Sequence, residues 1–315
     1  MSLSLSKCDS SEDWSKLLSE SDQGNIFCSN FFLELTNNHK NIYFVKKDKE
    51  IVAGVVVCEV NSSKISIPFL YQGIIFNKKL LSKKEHKLSA KYLETTKFII
   101  ENITRVHENF KISLDHSLDD LRPFQWFEYN QSNKKKFIID IKYTGLLDLS
   151  LYLNFDEYLQ SIRSVRRQEY KKNLNKFLIE EQTEIDDLDM LHIKTFERQN
   201  LKRNKTEETM ITHVIFNLLK KNMGKLFVLR NKDNLKPIAA SYFLHDKNNA
   251  YNLTLASDPA ERKTSPGTTL ILKQIEFCFK NKINLIDFVG INSPNRGDYK
   301  TSFNARPKIY FNIEY

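Results

Sequence analysis

The chain has 315 residues, of which 41% are hydrophobic and 12% aromatic, and its formal net charge at pH 7 is +9. This composition excludes a disordered or low-complexity chain, and the length favours two domains that are each large enough to bury a core. The charge favours an anionic partner, such as nucleic acid, anionic lipid or a phosphorylated small molecule.

The cysteines and the N-terminal residues bear on the cellular compartment. The four cysteines form no C-x-x-C pair and no spacing typical of a zinc site; they are Cys8, Cys28, Cys58 and Cys278. The first ten residues lack the apolar core of a signal peptide, and no uncharged run approaches the ~20 residues that span a bilayer. We therefore expect free thiols, no metal, no membrane insertion and a cytoplasmic location.

The first half of the chain alternates between helical and strand-like patterns. Pro68 has no backbone N–H, so the strand that contains it should end at a sheet edge or a bulge. The predicted elements are a helix at 13–32, strands at 41–45, 50–60 and 64–71, a helix at 83–106, and strands at 110–114 and 136–141.

The second half repeats this order of helix, strand meander, helix and strand, without evident residue identity. It opens with a basic helix that carries Arg163, Arg166 and Arg167. The predicted elements are helices at 155–179, 188–199 and 210–221, strands at 225–230, 238–245 and 250–256, a helix from about 266, a strand at 283–289, a short polar helix at 295–303 and a strand at 308–315.

A basic loop joins the strand at 250–256 to the next helix. Pro266 suits the first position of a helix, and Gly267 allows a ligand to approach the backbone closely. The first amides of a helix lack intrahelical acceptors and attract anions, and Arg262 and Lys263 lie just upstream. We interpret this segment as a pyrophosphate cradle; the alternative is a capped helix with a solvated basic loop. The amides concerned are those of Gly267, Thr268 and Thr269.

The order strand, basic loop, helix, strand, helix, strand resembles the acyl-CoA-binding half of the GNAT N-acyltransferases. The residues from Arg262 to Gly267 are similar to the Gln/Arg-x-x-Gly-x-Gly/Ala signature of that superfamily, with Ser265 in place of the first glycine. Three short motifs resemble those of its Fem-type branch, in which Asp-Phe-Gly, Phe-Lys and Phe-Gly-Ala are common. The corresponding residues here are, in the same order, Asp287-Phe288, Tyr299-Lys300 and Phe303-Asn304-Ala305. The segments 67–73, 121–126 and 166–171 are also similar to Fem-type segments.

The Fem-type resemblance implies an α/β (α+β) fold of two tandem GNAT-like domains, each a mixed, largely antiparallel sheet flanked by helices. A domain at 1–150 would contribute to acceptor binding, and a domain at 151–315 would bind acyl-CoA as co-substrate. Pantetheine would lie along the strand at 250–256. The implied acyl-CoA contacts are Leu255, Ala256, Ser257, Arg262, Lys263, Thr264, Ser265, Gly267, Thr268 and Thr269.

Three residues are candidates for the chemistry. Tyr299 occupies the place of a GNAT tyrosine that protonates the departing thiolate, although it could simply pack against the sheet. Lys300 matches a Fem-type lysine that could stabilise an oxyanion or contact a phosphate; the alternative is an ordinary surface lysine. Asp287 is the candidate for accepting the ammonium proton, and its alternative is a structural carboxylate that caps the next turn. The amine could also lose its proton to water.

The resemblance places the acceptor between the domains. Aromatic side chains can stack on a sugar or base and arginines can hold a diphosphate, whereas core packing and a solvated basic face are the alternatives. The candidate residues are Tyr71, Gln72, Trp126, Tyr251, Arg163, Arg166 and Arg167.

These features predict an enzyme that moves an acyl group from acyl-CoA to the amine of a dTDP- or UDP-linked amino sugar, in the synthesis of a surface polysaccharide such as lipopolysaccharide O-antigen. One alternative is a Fem-type transferase that takes an amino acid from charged tRNA to a peptidoglycan precursor. A further alternative, from another class, is a nucleic-acid-binding module that uses the basic helix at 155–179, and it predicts steeply salt-dependent binding. The oligomeric state is not specified by the sequence.

Overall fold

The computed structural model describes residues 2–36, 41–61, 64–65, 70–78, 84–198 and 205–315. The chain forms two compact units, Met1–Lys142 with Ile309–Tyr315, and Tyr143–Lys308. The predicted division at residue 150 differs from the observed one, because the first unit ends at Lys142 and also contains the last residues of the chain. The predicted strand at 64–71 and the Fem-type segment at 67–73 lie partly outside the described residues, as does Pro68.

The first unit has an antiparallel sheet of order β1-β2-β3-β6 and a second group of strands of order β5-β4-β7-β14. Its elements are β1 (Leu3–Lys7), α1 (Ser11–Ser19), α2 (Asn30–Leu35), β2 (Ile42–Lys47), β3 (Glu50–Val56), β4 (Cys58–Asn61), β5 (Lys64–Ile65), β6 (Ile74–Phe76), α3 (Glu85–Val106), β7 (Phe110–Ser113), α4 (Arg122–Trp126), the start of β8 (Ile138–Asp148) and the end of the last strand, β14 (Arg306–Glu314). Trp14 is fully buried in its core, and its indole N–H donates to the carbonyl oxygen of Cys28 at 2.7 Å.

The second unit contains six strands in the order β8-β13-β12-β11-β10-β9. Helices α7 and α9 both pack on β11 and β12. Its further elements are α5 (Phe155–Ser161), α6 (Ser164–Lys176), β9 (Phe177–Gln182), α7 (Asp186–Arg198), α8 (Lys205–Lys220), β10 (Lys225–Asn231), β11 (Pro237–His245), β12 (Asn249–Ser257), α9 (Pro266–Lys280), β13 (Leu285–Asp287) and α10 (Pro294–Thr301). The prediction of mixed, largely antiparallel sheets flanked by helices is confirmed.

The single basic helix predicted at 155–179 is wrong. Helix α5 ends at Ser161, and Arg163 has an extended backbone, with φ −49° and ψ 131°, before α6 begins. Phe177 starts β9, which pairs with β10 along its length. Main-chain hydrogen bonds to a neighbouring strand therefore outweigh the local helical pattern after residue 176.

Candidate active site

The helix α9 begins at Pro266, as predicted, and the residue before it has an unusual conformation. Ser265 has φ 52° and ψ 51°, in the left-handed region that glycine adopts readily. Any other residue there costs roughly 1 kcal/mol. This is the position at which the similar signature has a glycine. The hydroxyl of Ser265 donates to the carboxylate of Glu169 at 2.6 Å, and this bond helps to hold the conformation.

The front of α9 is closed by side chains of α6. The other carboxylate oxygen of Glu169 accepts a hydrogen bond from the hydroxyl of Thr268 at 2.8 Å. One turn later, the side-chain amide of Asn173 donates to the Thr264 carbonyl oxygen and to the Thr269 hydroxyl, at 2.8 and 2.9 Å. A protein carboxylate therefore lies at the front of α9, bonded to the side-chain hydroxyls of two residues that were predicted to contact acyl-CoA.

The donors of the predicted cradle are therefore partly in use. The amide of Thr268 donates to the carbonyl oxygen of Ser265 at 3.1 Å, which corrects the expectation that it has no acceptor. Thr268 and Thr269 are fully buried, while Gly267 is half-buried. Of the groups proposed for the cradle, Gly267 and the two upstream cations remain the most accessible.

Arg262 and Lys263 lie on a 3-10 helix, Pro259–Thr264, and both are exposed. No ion pair of either side chain occurs among the described residues. The carboxylate of Asp258 anchors this segment, because it binds the ammonium of Lys194 at 2.8 Å, that of Lys236 at 3.3 Å and the amide of Ala260 at 3.0 Å. The hydrogen bond from Lys194 is the main reason that the pKa of Asp258 falls to about 2.

Tyr299 on α10 points at the same helix front. Its hydroxyl oxygen lies 3.4 Å from that of Thr268. A Cβ atom at Gly267 would lie 3.1 Å from the Tyr299 hydroxyl oxygen and 2.9 Å from Cδ2 of Leu255, so glycine fits this position and a larger residue requires a shift. Burial raises the pKa of Tyr299 to about 12. The phenol therefore keeps its proton at neutral pH and acts as a hydrogen-bond donor.

Arg166 supports Tyr299 instead of being free for a ligand. Its guanidinium lies 4.7 Å from the centre of the Tyr299 ring, donates to the Ser302 hydroxyl at 2.9 Å and pairs with Glu169 at 3.0 Å. It therefore neutralises the carboxylate in front of α9 and orients the phenol. The other two predicted arginines also have partners: Arg163 pairs with Asp298 at 3.0 Å, and Arg167 donates to the Gln160 carbonyl oxygen at 2.8 Å.

Strand β12 contains a bulge and extends beyond the end of its neighbour β13. Tyr242 pairs with Thr254 and Phe243 with Asn252, so Leu253 is the extra residue of the bulge. On the other side, β13 pairs only with residues 249–251 and ends at Asp287. The chain then follows β8, since the amide of Phe288 donates to the Gly145 carbonyl oxygen at 2.9 Å.

As a result, residues 252–257 run on without a strand partner on that side among the described strands. Leu255, Ala256 and Ser257, predicted to contact the acyl donor, lie in this stretch. Bulges commonly occur next to active sites, where they interrupt a ladder and redirect side chains. The stretch carries main-chain N–H and C=O groups that can bind a ligand.

Asp287 and Lys300 brace the turn after β13. Asp287 is 3% exposed and accepts hydrogen bonds from the Thr144 hydroxyl and, at 2.7 Å, from the amide of Val289. The ammonium of Lys300 donates to three carbonyl oxygens, those of Phe288, Val289 and Gly290, at 2.5, 2.6 and 3.2 Å. The geometry of Asp287 is that of a turn-capping carboxylate. Lys300 is half-buried, so it is not the ordinary surface lysine considered as its alternative.

The aromatic residues predicted to bind the acceptor differ in exposure. Tyr71 and Gln72 are 3% and 0% exposed, and the Gln72 side chain donates to the Phe27 carbonyl oxygen at 2.8 Å. Tyr251 in the second unit is 4% exposed. Burial leaves these three almost no surface for a substrate, which corrects the prediction. Trp126 is 51% exposed, and the guanidinium of Arg122 lies 5.5 Å from its ring centre.

Some polar residues near β12 were missed by the sequence analysis. A ring nitrogen of His192 on α7 is bonded to the hydroxyl of Thr254, just past the bulge. On the opposite face, Asn252 donates to Gln274 at 2.6 Å and Gln274 donates to Ser241 at 2.8 Å, all within the core. These partners are far apart in the chain, so no local motif signals them. Glu169 was missed for the same reason.

The described residues include no group of three or more His, Cys, Asp and Glu side chains placed to hold a metal ion. Burial raises the pKa of the Cys278 thiol to about 12, so it stays protonated and is not a nucleophile. Within the described part of the chain, none of the helices combines the length and the apolar character that a bilayer-spanning segment requires.

The chain is similar to one family of known proteins in sequence and to several solved structures in fold. Residues 158–301 match the family described as acetyltransferase (GNAT) domain. No curated protein matches the chain. A crystal structure of FemX superposes with a TM-score of 0.66 at 11% identity, covering 99% of this chain and 97% of that chain.

Two further structures are similar over nearly the whole chain. A tandem GNAT protein from the clavulanic acid biosynthesis pathway has a TM-score of 0.57 at 10% identity, with 99% of this chain and 98% of that chain covered. The C-terminal domain of a putative lysylphosphatidylglycerol synthetase from Agrobacterium fabrum has a TM-score of 0.54 at 10% identity, with 98% and 92% covered. The chain therefore has a Fem-like GNAT fold, and residues 158–301 are similar to the acetyltransferase (GNAT) domain family.

Proposed function

We propose that the protein is an N-acyltransferase that moves an acyl group from acyl-CoA to the amino group of a nucleotide-linked amino sugar. The observation that supports acyl transfer is the stretch 252–257 of β12, which extends beyond the end of β13 and lies beside Gly267 and Tyr299. The unit that contains this stretch is similar to the GNAT domain. Main-chain donors at such a strand edge can polarise a carbonyl group without any side chain.

Several residues of the chain would have separate roles in the proposed reaction. Gly267 makes room for Leu255 and Tyr299 at the helix front, and Arg262 and Lys263 would hold the diphosphate of the donor by charge. Bound acyl-CoA would supply the acyl group as a thioester. The phenol of Tyr299, protonated at neutral pH, donates a hydrogen bond to negative charge that develops beside the front of α9.

Glu169 sets a limit on how well a diphosphate fits. Its carboxylate already accepts hydrogen bonds from two hydroxyl groups at the helix front. A second anion at that place meets a negative charge, although Arg166 partly neutralises it. The exposed cations of the 3-10 helix fit the diphosphate better than the hydroxyl groups of Ser265 and Thr268 do.

The proposal of a nucleotide-linked amino sugar as acceptor is based on the Fem-type resemblance and on the positive charge of α6. Three of the basic side chains on this helix are exposed and able to hold a phosphorylated nucleotide; they are Lys171, Lys172 and Lys176. Lys171 and Lys172 replace the three predicted arginines as the first residues to test, because those arginines already have protein partners.

The Glu169 carboxylate also favours a second candidate, a transferase that uses aminoacyl-tRNA and acts on a peptidoglycan precursor. An aminoacyl ester needs no diphosphate at the front of α9, so a protein carboxylate there is no obstacle. The likeness to FemX over 99% of the chain supports this candidate as well.

Calorimetric titration with acetyl-CoA, longer acyl-CoAs and free CoA separates the two. We expect CoA species to bind, and the double variant Arg262→Ala/Lys263→Ala to weaken that binding. The matched variant Lys171→Ala/Lys172→Ala removes the same charge from α6 and should spare CoA while it weakens binding of the nucleotide amino sugar. Absence of CoA binding together with transfer of a labelled amino acid from charged tRNA would establish the second candidate and exclude the first.

A further inference from the structure

The first unit contains a cavity that has no part in the proposed reaction. Its volume is about 250 Å³. The walls come from β6, from α3, from the chain that follows β7, and from α4. The apolar residues in them include Ile74, Phe76, Tyr92, Leu114 and Phe124. An apolar cavity of roughly 150 Å³ is large enough to bind benzene, so this one can hold a ring or a short alkyl chain.

The position of the cavity parallels that of the candidate site in the second unit. There, the site is built by a strand, the first turn of the next helix and the helix after the following strand, namely β12, α9 and α10. In the first unit, the cavity is lined by β6, by the first half of α3 and by α4. The strand–helix–strand–helix order is thus the same, and the cavity lies beside the elements that correspond to those of the candidate site.

The cavity and the candidate site differ in charge. The described residues that line the cavity include Asp119 and Asp120, and none of these described residues is a lysine or an arginine. Arg122 binds the Asp120 carboxylate through two nitrogens, at 2.8 and 2.7 Å, and its hydrogen bond lowers the pKa of that carboxyl group. Asp119 is exposed and makes no hydrogen bond or ion pair within the described part of the chain. Arg122 also donates to the hydroxyl of Ser89, another lining residue, at 3.3 Å, so its charge offsets that of Asp120. Asp119 is therefore the carboxylate left to attract a cation.

A polar group inside the cavity also has no protein partner. Thr96 is 7% exposed and lines the cavity, and its hydroxyl makes no hydrogen bond to any described residue. This hydroxyl is therefore available to donate a hydrogen bond to a ligand atom in the cavity. The neighbouring Thr95 is 3% exposed and does not line the cavity.

We infer that this cavity is a second ligand site, specific for a small primary amine with an apolar body. The apolar part fills the space against Phe76 and Phe124, and the ammonium group faces the Asp119 carboxylate. The inference stands on the first unit alone and does not depend on the proposed transferase function.

Calorimetric titration of the full chain tests the inference. The probes are phenethylamine, phenethyl alcohol and 3-phenylpropionate. The three probes have nearly the same apolar body and differ in charge. We expect the amine to bind about tenfold more tightly than the carboxylate, because the first is attracted and the second repelled by Asp119. Equal binding of the amine and the carboxylate, or no binding of any probe at millimolar concentration, would overturn the inference.

Three variants and two controls locate the site. Leu88→Trp should fill the cavity and abolish binding, and Asp119→Asn should make the amine and the alcohol bind equally. Thr96→Val should weaken binding, whereas its matched control Thr95→Val should not. Glu94→Gln removes an exposed carboxylate from the same helix, away from the lining, and should leave the preference for the amine intact. An unchanged affinity in Leu88→Trp, with the fold verified by its melting temperature, would show that the amine binds elsewhere.

Discussion

The carboxylate of Glu169 on α6 accepts a hydrogen bond from the hydroxyl of Thr268 at 2.8 Å, in front of the first turn of α9. The same carboxylate binds Ser265 and Arg166. A negative side chain at a helix N-terminus stabilises the helix and competes with any other anion for that place. This one contact therefore connects the stability of the second unit with its choice of acyl donor.

We predict that Glu169→Gln tightens CoA binding and destabilises the fold. The neutral amide removes the repulsion of a diphosphate, and it also weakens the bonds to Ser265, Thr268 and Arg166, at a cost of about 1 kcal/mol. Calorimetry with CoA and urea unfolding measure the two effects. Asp156→Asn, which removes an acidic side chain from the first turn of α5, is the control for CoA binding. Weaker CoA binding in Glu169→Gln would mean that the carboxylate helps the donor.

We predict that Tyr299→Phe lowers the transfer rate at least about tenfold and alters stability only at alkaline pH. Because the pKa of Tyr299 is about 12 in the folded state, against about 10 in an unfolded chain, wild-type stability is unaffected below pH 10 and declines between pH 10 and 12. That loss, about 2 to 3 kcal/mol, should be absent from the variant.

The measurement is urea unfolding at several alkaline pH values, beside a transfer assay at neutral pH. Other buried tyrosines contribute to the alkaline decline of both proteins, so the difference between wild type and variant isolates Tyr299. The exposed Tyr129, replaced by Phe, should behave like the wild type in both experiments. A variant with full activity would remove Tyr299 from the mechanism.

We predict that Lys300→Met destabilises the protein by about 2 kcal/mol, because three carbonyl oxygens lose their donor. Equilibrium unfolding in urea measures this change. Lys308→Met, at an exposed position of β14, is the matched control and should have little effect. If the variant keeps its stability and loses its activity, Lys300 acts on the substrate and its carbonyl contacts are secondary.

We predict that Asp258→Asn lowers stability by about 2 kcal/mol at neutral pH and has no effect near pH 2. The folded pKa of about 2 is below the unfolded value, so the stabilisation is present above about pH 4 and disappears as the pH falls through 2. Unfolding of the variant and the wild type should converge in acid. A constant difference between them across this range would show that the ion pair with Lys194 is not its source.

The part of the site that was predictable from the sequence is local. Pro266 at the first helical position, the glycine after it and the cations before it are signals within eight residues, and α9 begins as they indicate. The order of strands and helices in the second half follows from periodicity in the same way. Local rules fail where β9 begins, because the pairing partner of Phe177 is Asn231 and no helical or strand pattern near residue 177 contains that information.

The contacts that decide the chemistry are long-range. Glu169 meets Thr268 across 99 residues, and Arg166 meets Ser302 across 136 residues. In the sequence, both belong to a basic helix and look like surface charges. Their burial depends on how α6 packs against α9 and α10, which spacing within α6 does not specify. Likewise, Tyr71 and Gln72 lie in a segment that suggested a ligand contact, and only tertiary packing shows that they are buried.

The strand β12 extends beyond the end of β13, so its free edge can pair with a polypeptide strand as well as with a substrate. An extended peptide can add to residues 252–257 through the same main-chain bonds, with alternate side chains setting its selectivity. Under the proposed function, such a peptide would compete with the acyl donor without resembling either reactant in shape.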